Sequence, residues 1–119
     1  MKWYLAKVVY RIICGAGTHT AQFDEQLRLI SAADETEAFE KAAAIGRQEA
    51  DRFYNNKQEL VQWQFINVSE LYRLQQLLDG AEVYSRITEV DNAEAYTDFV
   101  HHKAAGIQQK NTHELLNLI

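Results

Sequence analysis

One carboxylate stands out for chemistry. Odd positions from Ala21 to Leu29 read Ala21, Phe23, Glu25, Leu27 and Leu29, an apolar row that Glu25 interrupts. Side chains of a strand alternate between faces, so the row shares one face. An acid in apolar surroundings holds its proton more tightly, which is what a general acid or base needs. Glu25 also satisfies a plainer expectation, a structural carboxylate hydrogen-bonded to a neighbour. Tyr10, facing it across the hairpin deduced below, is the natural donor. His19 lies in the polar loop Thr18-His19-Thr20 beside the same hairpin. Loops on rigid scaffolds often hold ligands, so Tyr10, His19 and Glu25 are the candidate ligand-binding residues. The plainer alternative for the loop is a solvated turn with local hydrogen bonds.

Other chemistry finds less support. Cys14 is the single cysteine, five residues from His19, and would need a nearby base to act as a nucleophile. A lone cysteine ending an apolar stripe also serves as a small buried hydrophobe. His101 and His102 are adjacent on a predicted helix, so their side chains diverge by about 100° and do not share a metal. No spacing offers the three or four converging ligands that zinc requires. Phosphate-binding glycine loops and a Gly-x-Ser-x-Gly elbow are absent from the sequence. No catalytic residue, metal or cofactor is assigned on these grounds.

The elements that must position these residues follow from patterning. Even positions Tyr4, Ala6, Val8, Tyr10, Ile12 and Cys14 are apolar, predicting a strand over about 2–14. A second strand is predicted over about 21–32, after the loop Gly15-Ala16-Gly17-Thr18-His19-Thr20. Matching the two apolar rows sets Cys14 opposite Ala21, Ile12 opposite Phe23, Tyr10 opposite Glu25, Val8 opposite Leu27 and Ala6 opposite Leu29. Arg11 then faces Asp24 on the other side. Asp34 and Glu37 form a capping-box-like start for a helix whose stripe is Phe39, Ala42, Ala43, Gly46, Ala50 and Phe53, ending at Asn55-Asn56. A third strand spans about 60–68, with a bulge or end near Ile66 and Val68. A short helix over 70–78, a fourth strand over about 81–90 and a long helix from about Asn92 complete the pattern. The fold class expected is α+β: a four-stranded, mostly antiparallel sheet with helices on one face. Residues 1–110 are expected to form one domain, followed by a tail at 111–119.

Size and charge narrow the partners. The chain has 119 residues, 47% of them hydrophobic, a net charge of −5 and a pI near 5.3. Its Lys and Arg are scattered, which argues against nucleic acid as a partner. Lys7 and Arg11 interrupt the first apolar run and Ile13 is bulky before Cys14, so that run is read as a strand and not a leader. No apolar stretch approaches the roughly 20 residues that span a bilayer. A single cysteine and no membrane segment lead us to expect a cytoplasmic protein. The second face of the expected sheet carries Trp3, Leu5, Val9, Ile13 and Ile30, an apolar set that is normally covered. A homodimer through that face would cover it; so would the tail or last helix. A non-enzymatic contact module is therefore the leading expectation, with another protein as a further partner, such as a basic target masked in the manner of an immunity or antitoxin-like protein. A ligand pocket at Glu25, Tyr10 and His19 is the alternative.

Several stretches resemble a known family. Trp3-Tyr4-Leu5-Ala6-Lys7, His19 through Ile30, Val61 through Val68 with Glu70-Leu71, and Asp79-Gly80-Ala81-Glu82-Val83-Tyr84-Ser85 are similar to a small bacterial family known only as a domain of unknown function, number 4288. The resemblance reaches to about Val90 and implies one small α+β domain. It implies no activity, substrate or catalytic residue.

Overall fold

The computed structural model describes residues 1–109. The elements are β1 (Lys2–Cys14), β2 (Gln22–Ala32), α1 (Glu35–Gln48), β3 (Asp51–Tyr54), β4 (Leu60–Leu74) and α2 (Ala93–Gln109). The strands form one antiparallel sheet in the order β2-β1-β4-β3. The α+β class and the four-stranded antiparallel sheet are as expected. The chain divides into two compact units, Met1–Ser85 and one that begins at Arg86. The tail expected at 111–119 lies outside the described residues.

The first unit holds the sheet and α1. Glycines open the β1–β2 loop, where Gly15 (φ 57°) and Gly17 (φ 78°) take left-handed backbone that side chains resist. At the start of α1, Asp34 accepts a hydrogen bond from the Glu37 amide at 2.8 Å, and Glu37 accepts one from the Ala33 amide at 3.2 Å. The buried face of α1 is small: Ala38, Ala42, Ala43 and Gly46. It packs on Tyr4, Ala6, Val8 and Tyr10 of β1, Ile30 and Ala32 of β2 and Val68 of β4. Small residues let the helix axis lie close to the sheet, and Phe65, Trp63, Leu71 and Ile45 close the margins.

Four local expectations are corrected. First, β2 is slipped by one residue: Tyr10 pairs with Asp24, Val8 with Gln26, Ala6 with Arg28 and Tyr4 with Ile30. The side of β2 facing α1 therefore carries Asp24, Gln26, Arg28, Ile30 and Ala32. Phe23, Glu25, Leu27 and Leu29 point to the open face, Arg11 faces Phe23 instead of Asp24, and Ile30 belongs to the core at 1% exposure. Hydrogen bonding explains the slip. Gln26 donates to Asp24 at 2.6 Å and Arg28 Nη2 donates to Gln26 at 2.7 Å. Arg28 also meets Glu49 at 3.0 Å, and the Trp63 indole donates to Asp24 at 3.1 Å. Those polar groups satisfy one another beside the end of α1, so the row need not be apolar.

Second, α1 stops at Gln48, and Phe53 belongs to β3, opposite Val61. Asn55 turns the chain between β3 and β4, its side-chain oxygen accepting from the Lys57 and Glu59 amides at 2.9 and 3.0 Å. Phe53 stacks on Trp63 at 6.2 Å. Third, the short helix expected over 70–78 is strand: β4 runs on to Leu74. The irregularity expected near Ile66 and Val68 is present, with register shifts between Val9 and Tyr10 and between Lys7 and Val8. Each shift inserts a residue and changes the phase of alternation, so the Leu71 and Leu74 spacing imitates a helix. Fourth, no strand forms over 81–90.

Within the second unit, Asn92 accepts a hydrogen bond from the Ala95 amide at 3.0 Å and so caps the start of α2.

Candidate functional site

The candidate residues separate onto three locations. Tyr10 lies in the core under α1, 1% exposed, and its hydroxyl donates to the Gly46 carbonyl at 2.8 Å. That carbonyl is in the last turn of α1, where no amide of the helix reaches it. Tyr10 is therefore a cap for α1 from below. Burial pushes its phenol above the ordinary value, and nearby Glu49 pushes it the same way. Glu25 is on the opposite, open face, opposite Val9. The one-residue slip places a whole sheet between Glu25 and Tyr10.

His19 sits at the end of the β1–β2 hairpin. Its Nε2 accepts from the Cys14 amide at 3.0 Å and its Nδ1 donates to the Thr20 carbonyl at 2.8 Å. Both ring nitrogens are thus occupied in closing the loop. Cys14, Thr18, His19, Thr20, Gln22 and Glu59 line a shallow cavity of about 470 Å³ there. Neither Tyr10 nor Glu25 lines it. His101 and His102 are exposed on α2 in the second unit. Among the described residues, no three His, Cys, Asp or Glu side chains are grouped to hold a metal.

The open face of the sheet holds a different constellation. Lys7 of β1 bonds Glu70 of β4 at 2.5 Å and approaches Glu25 of β2 at 3.8 Å. The Tyr72 hydroxyl donates to Glu70, and the Tyr72 ring meets Tyr84 edge-on at 5.4 Å. The hydrogen bond to Glu70 is the main reason the Tyr72 phenol is pushed up to about 12, with burial and the Glu70 charge adding to it. The Glu70 hydrogen bond likewise raises Lys7, against the opposing effect of burial. Tyr72 keeps its proton more tightly folded than unfolded, so its contribution to stability is complete below about pH 10 and fades as pH rises to about 12. In a tyrosinate absorbance titration, Tyr72 should be the late-titrating phenol of this face, and Tyr72→Phe should remove the late phase.

Glu25 itself is a peripheral member. Its side chain is 60% exposed against 15% for Lys7. Exposed ion pairs contribute little. Glu25→Gln should therefore leave the thermal midpoint within about 3 °C of the native chain. A rise or fall well beyond that in calorimetry would restore Glu25 as a structural or binding centre.

Around this network the face is apolar. Trp3 is 41% exposed, Phe23 55%, Leu27 48% and Leu29 50%. Phe23, Leu27 and Leu29 were missed as surface residues because their row reads as a core row. The signal that could have corrected it is the composition of the other row, where the donors and acceptors of Asp24, Gln26 and Arg28 match in order.

Compared with known families, residues 3–85 match the one described as "Domain of unknown function (DUF4288)". The chain belongs to this family. The DUF4288 match and the first compact unit both end at Ser85. Sheet, α1 and open face thus all lie in the DUF4288 region, and α2 lies beyond it. No curated protein and no solved structure matches the chain.

Proposed function

We propose that this domain is a non-catalytic protein-interaction module, and that the open face of its sheet is the acting surface, occupied by a second copy of the chain. The observation that carries the reading is the joint exposure of Trp3, Phe23, Leu27 and Leu29 on one face of a rigid sheet. Contiguous exposed apolar surface of this kind marks contact sites. The face also carries both signs of charge, Lys7 and Arg11 with Glu25 and Glu70, so a twofold-related copy can set opposite charges against each other. Relative to the homodimer surface expected from sequence the membership changes: Ile30 and Leu5 are buried and leave it, and Phe23, Leu27 and Leu29 join Trp3, Val9 and Ile13. The ligand-pocket alternative loses its basis, because Tyr10, His19 and Glu25 do not converge. No helix among the described residues is long and apolar enough to cross a membrane. A cytoplasmic location, which the single cysteine favours, is part of the proposal.

Val9 lies at the middle of the face, between Glu25 and Asn67. Light scattering should give the native chain a mass of more than one copy. Val9→Lys should lower that mass at equal concentration while keeping the far-ultraviolet dichroism. A native monomer at millimolar concentration, or an unchanged mass in a folded Val9→Lys, overturns the reading.

A further inference from the structure

The outer edge of β2 goes beyond the open face. Among the described residues β2 pairs only with β1, so one side of its eleven-residue backbone has no strand partner. Long edges are usually blunted by proline, a bulge or charged side chains, and of these β2 has only charge, at Asp24, Glu25 and Arg28. β2 contains no proline, and its pairing with β1 runs without a register shift.

We propose that β2 pairs antiparallel with β2 of a second copy, about a twofold axis at Gln26, joining two sheets edge to edge. The side chains select this register. With Gln26 opposite the partner's Gln26, Asp24 faces the partner's Arg28 and Arg28 faces the partner's Asp24. On the other face, Phe23 lies against the partner's Leu29 and Glu25 against the partner's Leu27, and the symmetric pairs repeat both. Opposite charges and aromatic–aliphatic pairs directly across two strands are both favourable. A shift of two residues one way sets Glu25 against the partner's Glu25. A shift the other way sets Asp24 against the partner's Ile30 and Glu25 against the partner's Leu29. Each alternative loses the charge match. Arg28 and Asp24 are already held in place by Gln26, Glu49 and Trp63, so they meet a copy with little freedom left to lose. This edge is a separate surface from the open face, so either contact can form without the other, and cross-linking at Gln26 reads the edge alone.

Cysteine cross-linking in the full chain tests it, with Cys14→Ser removing the native thiol. Directly opposed residues in antiparallel strands have Cα atoms about 4.5–5.5 Å apart, within disulfide range. Gln26→Cys should therefore form a chain-to-chain disulfide under mild oxidation. Gln26 points to the α1 side of the sheet, so open-face contact cannot bring two such residues together. As a second measurement, Glu25→Cys and Leu27→Cys, both at exposed positions, should cross-link at least tenfold faster when mixed than either does alone. A folded Gln26→Cys chain that stays uncross-linked overturns the proposal. Should that variant not fold, equal rates for the mixed and separate Glu25→Cys and Leu27→Cys chains overturn it instead.

Discussion

Gly46→Ala should destabilise the domain by about 1–3 kcal/mol through overpacking, even though alanine is favoured over glycine inside a helix by about 1 kcal/mol. The two effects oppose each other, and geometry decides between them. A Cβ at Gly46 would fall 2.6 Å from Phe65 Cδ1 and 3.0 Å from Val8 Cγ1, and closer still to Phe65 Cε1. Val8 belongs to the central strand and is fully buried. Phe65 is braced by the Tyr10 ring edge at 6.0 Å. Val8 has no room to yield, and Phe65 must leave its contact with the Tyr10 ring to make space. Gly106 of α2 is the control, since a Cβ there meets nothing within 4 Å. Urea unfolding should show a lower midpoint for Gly46→Ala and an unchanged or higher stability for Gly106→Ala. A higher midpoint for Gly46→Ala would mean that α1 does not lie against Phe65 as described.

Tyr10→Phe should cost about 1–3 kcal/mol, the range for removing one partner of a buried hydrogen bond. The loss is larger than the mean because the Gly46 carbonyl has no other donor near. The backbone amides that follow it are committed elsewhere: Glu49 donates to Ile45 at 3.0 Å and Ala50 to Arg47 at 3.4 Å. Removing the hydroxyl leaves a helix-end carbonyl under the core without its donor. Tyr54→Phe, at a position 69% exposed, should be nearly neutral in the same urea experiment. Equal stability of Tyr10→Phe and the native chain would show that the phenol does not cap α1.

What was legible in the sequence depended on how local the cause was. β1 could be placed from its alternation, and the start of α1 from Asp34 and Glu37, because strand period and helix cap act within a few residues. The four-stranded antiparallel class followed from the same patterns. The facing of β2 was not legible. It is decided by Glu49 and Trp63, which are 21 and 39 residues from their partners Arg28 and Asp24. An apolar row reads as core only while the alternative row has nothing to bond to. The same non-local cause undid the candidate site: once β2 slips by one, Glu25 leaves Tyr10 for Val9. β3 was hidden because Phe53 continues the period of α1, and β4 beyond Val68 because two bulges break its alternation. His19 was rightly placed at the hairpin loop, but its hydrogen bonds to Cys14 and Thr20 give it a loop-closing task.

The most direct test of the open face is hydroxyl-radical footprinting of the two tryptophans across a range of protein concentrations. Trp3 lies on the open face and Trp63 on the α1 side, where its indole is bonded to Asp24. Oxidation of Trp3 relative to Trp63 is expected to slow as concentration rises, because a second copy covers Trp3 and leaves Trp63 as the internal reference for radical dose. A Trp3 to Trp63 ratio that does not change from dilute to millimolar protein would contradict the claim that a second copy occupies this face.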